Sequence, residues 1–489
     1  MSRNSFARLF LLFTLFIVAF LSGCKKDKVN QPATEQPTVT NADLSKDTMY
    51  YLFKDEYFYT QNIPAYDIVN PRASANLDSL FNKMKRYQTS PLDHYSYRDP
   101  TGSVASVIGQ GLSQGDFGID VWWNSLSDLR VVDVIKGSPA DLLFGIKRGW
   151  QITSINDNTT VTYDGSQVSG PSTNLNRILN AVYYSNSSKF VFQKPDGTSA
   201  TVTITRAPYT INPITLDSVY TFGSRKIGYM VFGTFIDLAK IQTQIDATFS
   251  KFESKNITDL VVDLRYNGGG SVETSEYFAN KIAPKNVGTG TTLMYKYLYN
   301  TNMTTGNYSA FTTKTKTPYS DMPTYADLFN YFPKNYSSTY FTKKGNLDIQ
   351  NVIFLVTAST ASASELLINN LTPHMTVSTI GQTTDGKPFG FFPITVGGVD
   401  MYVISMKSVN SQNYGDYYNG MTPTVSVQYE DFSKTYGQVD EPFLNQALVK
   451  LGVKSLPIIP KSQRAFISNF ANSKFDHKFK GMIETRIKK

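Results

Sequence analysis

Apolar positions along this 489-residue chain follow patterns that predict alternating regions of helix and strand. Leu77, Leu80, Phe81 and Met84 recur at helical spacing. Tyr50, Tyr51, Phe53, Tyr57 and Phe58 cluster ahead of them, so residues from about 43 to 100 read mostly as helices. Residues 129–135 alternate between apolar and polar as a strand does. Two nearly unbroken apolar runs, 260–264 and 352–356, read as buried strands. Helices are expected over 238–252, over 271–282 and after Ser362 as far as Leu371, and further strands over 392–396 and 401–405. Residues 287–345 are rich in Tyr, Thr and Asn without clear periodicity. They read as an insertion, either lining a substrate channel or lying on the surface with no part in specificity.

The first apolar stretch, 9–21, follows Arg3 and Arg8 and reads as a targeting signal. It falls short of the roughly 20 residues of a membrane span. Its end, Leu21-Ser22-Gly23-Cys24, resembles a bacterial lipobox, in which Cys24 would carry lipid. The alternative is an uncleaved anchor with an incidental cysteine. Polar residues with Pro32 and Pro37 then read as a tether. Cys24 is the only cysteine, so a lipidated chain would have no disulfide, cysteine nucleophile or cysteine-bound zinc. The three histidines, His94, His374 and His477, form no zinc-hydrolase motif. No metal or organic cofactor is expected. The net charge of +8 is mild and partly gathered at Lys474, Lys478, Lys480, Arg486, Lys488 and Lys489. A solvated terminus explains that cluster more simply than a surface for nucleic acid or anionic lipid.

The candidate chemistry lies where apolar runs break. Ser362 follows the 352–356 run within Thr360-Ala361-Ser362-Ala363-Ser364-Glu365. Lys387 lies in Asp385-Gly386-Lys387-Pro388, and Gly268, Gly269 and Gly270 follow the 260–264 run. A hydroxyl needs a base to become a nucleophile. A lysine can supply one where burial favours its neutral form. Glycines allow backbone N–H groups to approach a developing oxyanion. Each part has a plainer reading. Ser362 and Glu365 fit a capping box, and Ser364 could also cap the helix. Lys387 alone would be a surface loop lysine, and the glycines a tight turn. His374 follows Ser362 by 12 residues, but nothing directs it back toward the serine.

Together these motifs resemble the C-terminal processing peptidases, the tail-specific protease family of the ClpP/crotonase-like superfamily. The resemblance spans roughly residues 45–430. It implies that Ser362 is the nucleophile, that Lys387 is the general base, and that Gly269 or Gly270 forms the oxyanion hole with the N–H of Ala363. Asp263 and Arg265 would stabilise the turn. The family often has a glutamine four residues after its lysine; here Phe391 stands there. Lys226 through Phe232 resembles the first strand of the peptidase domain, and Asn419-Gly420-Met421-Thr422-Pro423 its closing turn. The stretch Asp93-His94-Tyr95-Ser96-Tyr97 resembles the segment that closes the family's N-terminal helical region, a structural explanation for His94.

Residues 105–207 resemble a PDZ domain. Phe117, Gly118, Ile119 and Asp120 match its carboxylate-binding loop and strand, Ser138 and Pro139 begin a short helix, and 201–205 form a closing strand. Such domains add a peptide to a sheet edge; a closed groove serving only as scaffold is the alternative.

The expected architecture is multidomain α/β: signal peptide 1–23, tether 24–42, N-terminal helical region 43–104, PDZ-like β-rich domain 105–207, ClpP/crotonase-like α/β peptidase domain 208–460 and basic tail 461–489. The expected function is a serine endopeptidase, lipid-anchored in the bacterial cell envelope, acting on protein or peptide substrates with exposed C-termini and not on nucleic acid. A non-catalytic peptide-binding lipoprotein of the same fold is the alternative. An esterase or small-amide hydrolase is weaker, because the PDZ-like segment favours peptides.

Overall fold

The computed structural model describes residues 39–164, 174–453, 481–484 and 486. Cys24, the signal-like stretch and the tail lysines lie outside the described residues. Two helices, Asn41–Glu56 and Leu77–Lys85, open the described chain. Met49, Phe53, Leu80, Phe81 and Met84 are buried in a cluster that continues into residues 214–406, so this helical region has no separate core.

The PDZ-like region is a five-stranded antiparallel sheet: Ile119–Ser125, Asp128–Val134, Gln151–Ile155, Ser187–Gln193 and Ser199–Thr205, paired in that order. It has its own core around Val121, Trp123, Ile152, Phe190, Phe192 and Ile204. The helix Pro139–Phe144 starts as the sequence predicts: the Ser138 hydroxyl accepts from the Asp141 N–H, and Pro139 occupies the first helical position.

The larger region is built on a six-stranded sheet ordered Val425–Ser426, Thr376–Gly381, Asn351–Val356, Asp259–Asp263, Arg225–Phe232 and Ile214–Phe222. All pairs are parallel except the last. Parallel neighbours need crossovers. The helix Leu238–Ser254 supplies one and Ala363–Leu371 another. Helices cover the faces, which explains why 260–264 and 352–356 are nearly unbroken apolar runs.

Residues 287–345 differ from the aperiodic reading. They contain the strand Thr289–Tyr299, the helix Tyr325–Asn335 and the strand Ser338–Thr342. The helix buries Tyr325, Leu328, Phe329 and Phe332, a helical spacing obscured by surrounding tyrosines. The tail also departs from expectation. Gly481–Ile483 is a buried strand, parallel to Gly269–Ser271, and Arg486 pairs with Glu276 at 3.3 Å. The expected solvated terminus is therefore corrected at these residues, because backbone pairing and an ion pair hold them inside.

A buried ion network joins the PDZ-like region to the six-stranded sheet. Arg265 contacts Asp263 at 2.7 Å, Glu441 at 2.8 Å and Glu430 at 3.1 Å. Arg148, from the PDZ-like region, reaches the same Glu430 at 3.1 Å and the Tyr266 hydroxyl at 3.0 Å. All these side chains are buried. Arg265→Ala would leave carboxylates without their central cation, and we expect a loss of about 3–5 kcal/mol in urea unfolding.

Candidate active site

Parallel order brings the three motifs to one end of the sheet. Asp259–Asp263, Asn351–Val356 and Thr376–Gly381 are consecutive neighbours. Their carboxyl ends lead to the glycine turn, to Ser362 and to the Lys387 loop respectively. Adjacent strands lie about 4.8 Å apart, so segments distant in sequence converge where α/β sheets bind ligands.

Ser362 sits at the N-cap of the helix Ala363–Leu371 with φ 58° and ψ −105°. Positive φ is strained for a residue with a Cβ. The surrounding bonds hold it there. The Ala361 N–H donates to the Asn267 carbonyl (3.1 Å), and the Ser364 hydroxyl donates to the same oxygen (3.0 Å). Ser364 therefore stitches the serine turn to the glycine turn. The Ser362 N–H donates to Glu365 Oε2 at 2.7 Å. The Ser362 hydroxyl lies toward the Glu365 amide as in a capping box, but is fully buried and makes no hydrogen bond. It is thus not committed to its own helix.

Gly269 and Gly270 have φ of 105° and 131°. A Cβ on Gly269 would lie 2.3 Å from the Gly481 carbonyl oxygen and 2.9 Å from the Ala363 nitrogen, so only glycine fits. The Gly269 N–H donates to Asn267 Oδ1 at 2.9 Å. The Gly269 N–H is therefore already bonded within its own turn.

Lys387 is 3% exposed, and its ammonium lies 4.3 Å from the Phe391 ring centre, 5.8 Å from Tyr95 and 6.0 Å from Tyr97. The position expected for a glutamine thus carries an aromatic face that packs on the lysine. Tyr95 also donates to the Gly386 carbonyl at 2.8 Å, fixing the residue before Lys387. Gly386 is forced by crowding: a Cβ would lie 2.4 Å from the Gly420 nitrogen.

Glu365 joins the two halves. Its Oε2 accepts from the backbone N–H of both Ser362 (2.7 Å) and Lys387 (2.8 Å). Its Oε1 accepts from the Gly386 N–H at 2.7 Å and from the Thr384 hydroxyl. Burial pushes its carboxyl up to about 7, against the opposing pull of these donors. Sequence reasoning identified Glu365 only as a capping residue; its Ser-x-x-Glu spacing was visible, its link to the lysine loop was not. Tyr95 and Tyr97 carried a sequence signal only as part of a closing segment.

The remaining candidates lie elsewhere. His94 is exposed, with Nδ1 3.1 Å from the Leu92 carbonyl oxygen. His374 lies beyond the far end of the serine helix, with Nε2 3.0 Å from the Ser411 hydroxyl. Phe117 is buried against Phe190, and the Gly118 carbonyl accepts from the Ile135 N–H. Ile119 pairs with Val134. Tyr183 donates to Asp120 and accepts from the Val121 N–H, each at 3.3 Å, so one amide of this strand is already bonded.

The sequence profile of peptidase family S41 matches residues 226–427. A Bacteroides fragilis protein assigned to the S41 proteases shares the fold, with a TM-score of 0.61 at 18% identity over 86% of this chain and all of that one. The photosystem II D1 C-terminal processing protease aligns over 80% of this chain and 94% of its own, at 16% identity with a TM-score of 0.44. No curated protein matches the sequence significantly.

The raised Glu365 carboxyl has a defined consequence for stability. Its folded value, about 7, lies above its ordinary 4.5. The unfolded chain therefore loses this proton first as pH rises. The group's stabilising contribution is full below about 4.5 and is lost as pH rises through about 7. Glu365→Gln does not titrate. The unfolding free energy of the native chain, relative to this variant, should fall by about 3 kcal/mol between pH 4 and 8 in matched denaturant titrations.

Proposed function

We propose, for a chain whose residues 226–427 match the profile of peptidase family S41, that it is a serine endopeptidase working through a Ser362–Lys387 dyad. One observation carries this reading: a serine hydroxyl with no hydrogen bond and a buried lysine are tied through their backbones to the same oxygen of Glu365. The adjoining glycine turn supplies the third part.

In this mechanism Lys387, as its neutral amine, takes the proton from the Ser362 hydroxyl as the oxygen attacks the scissile carbonyl. Charge developing on that oxygen is met by the N–H groups of Gly270 and Ala363. The start of the helix Ala363–Leu371 adds favourable electrostatics. Collapse of the tetrahedral intermediate passes a proton from Lys387 to the leaving amine and leaves an acyl group on Ser362. A water deprotonated by Lys387 then releases it.

The proposed substrates are proteins with extended C-terminal segments, recognised in part by the PDZ-like sheet through Phe117, Gly118, Ile119 and Asp120. The Tyr183 contact with the Val121 N–H means that a peptide added along that edge must displace or bypass this hydroxyl. A lipid on Cys24 would place the enzyme in the cell envelope. Phe391, rather than glutamine, four residues after Lys387 favours a second reading, a peptide-binding lipoprotein without catalysis.

Cleavage of an unfolded reporter by the chain lacking residues 1–24 tests the dyad. Ser362→Ala and Lys387→Ala should each lower kcat/KM by about 10³-fold or more. Undiminished cleavage by either variant would remove that residue from the mechanism. Replacing the reporter's last three residues with acidic ones should raise KM with little change in kcat if the PDZ-like sheet recognises the terminus.

A further inference from the structure

The strand Gly481–Ile483 lies where a substrate would have to lie. Its register against the glycine strand is Gly269–Gly481, Gly270–Met482 and Ser271–Ile483, parallel, with the Gly481 N–H donating to the Gly268 carbonyl at 2.9 Å. In such a ladder the Gly270 N–H points at the Gly481 carbonyl. That amide is the turn's proposed oxyanion donor, and the same carbonyl oxygen crowds Gly269 beside the Ala363 nitrogen. The other edge of the strand is bonded as well. The Phe391 N–H donates to the Met482 carbonyl at 3.0 Å, and the Phe391 carbonyl accepts from the Glu484 N–H at 3.2 Å. The tail backbone is thus held between the serine-side glycines and the residue whose ring packs on Lys387.

The side chains complete the fit. Met482, Ile483 and Glu484 are buried. The Arg486 guanidinium pairs with Glu276 and lies 3.9 Å from the Tyr336 ring centre, so the 287–345 insertion helps to anchor it. With the tail in place Ser362 is 0% and Lys387 3% exposed. No protein substrate reaches a nucleophile so enclosed unless something leaves.

We propose that residues 481–484 with Arg486 are a tethered ligand of the active site, filling the groove of an extended peptide with the Gly481 carbonyl at the oxyanion donors and holding the enzyme closed until displaced. This rests on the peptidase reading above. The groove satisfies a peptide backbone on both edges, which is how sheet edges bind extended chains. A tethered strand also competes at high effective concentration, so a free substrate must outbind a segment that is always present.

Three proteins test this: the chain from residue 25 onward, the same chain ending at Lys480, and the full-length form carrying Arg486→Glu. Reporter cleavage and labelling of Ser362 by a fluorophosphonate probe should be at least about tenfold faster in the two altered forms. A fluorescent synthetic peptide of residues 477–489 should bind the shortened Ser362→Ala chain and restore inhibition to the shortened active chain. The same peptide with Met482→Asp should do neither. Equal cleavage and labelling rates in all three proteins would overturn the tethered ligand while leaving the peptidase reading intact. Peptide binding without cleavage or labelling in any form would support the tethered ligand and overturn the peptidase reading. If the shortened chain does not fold, the Arg486→Glu protein decides: an unchanged labelling rate overturns the proposal.

Discussion

The Glu365 carboxylate accepts hydrogen bonds from Ser362, Thr384, Gly386 and Lys387. Three of these donors are backbone N–H groups that would otherwise be stranded in a dry interior, where each unmet group costs about 1–3 kcal/mol. The acceptor itself is fully buried, so it is tolerable only because its donors surround it. This mutual dependence fixes the separation of the serine turn and the lysine loop. It also helps hold Ser362 in a backbone conformation that a serine would not keep alone.

A second constraint acts on the larger scale. Arg265 and Arg148 share Glu430 in the interior, where the PDZ-like region meets the peptidase sheet. Charges taken out of water are stable only when fully paired. The shared carboxylate therefore couples the seating of one region to the folding of the other. Tyr266, immediately after Arg265 and three residues before Gly269, donates to Glu430 as well. The glycine turn is consequently built on the same residues that hold the two regions together.

Three aromatic rings pack around Lys387. Tyr95 and Tyr97 come from the N-terminal region and Phe391 from the residues after the lysine. Phe391 does more than replace a polar side chain: its backbone bonds the tail strand while its ring packs on the lysine. One residue thus contacts both the proposed base and the proposed tethered ligand.

Much of the fold was legible because its signals are local. Apolar runs at 260–264 and 352–356 mark strands buried on both faces, Ser138-Pro139 marks a helix start, and the glycines mark a turn that no Cβ permits. The helix Tyr325–Asn335 was missed although Tyr325, Leu328, Phe329 and Phe332 carry its period, because the tyrosines and threonines around it blur the contrast between faces. In the candidate site, the chain by itself determined which residues could be nucleophile, base and oxyanion turn, since each depends on chemistry and on a few flanking positions. Only the tertiary structure decided that one oxygen of Glu365 serves both Ser362 and Lys387, that Phe391 faces the ammonium, and that Gly481–Ile483 lies against the glycine strand. Those contacts depend on the order and register of parallel strands, which bring distant segments to one edge and leave no periodic trace in the sequence.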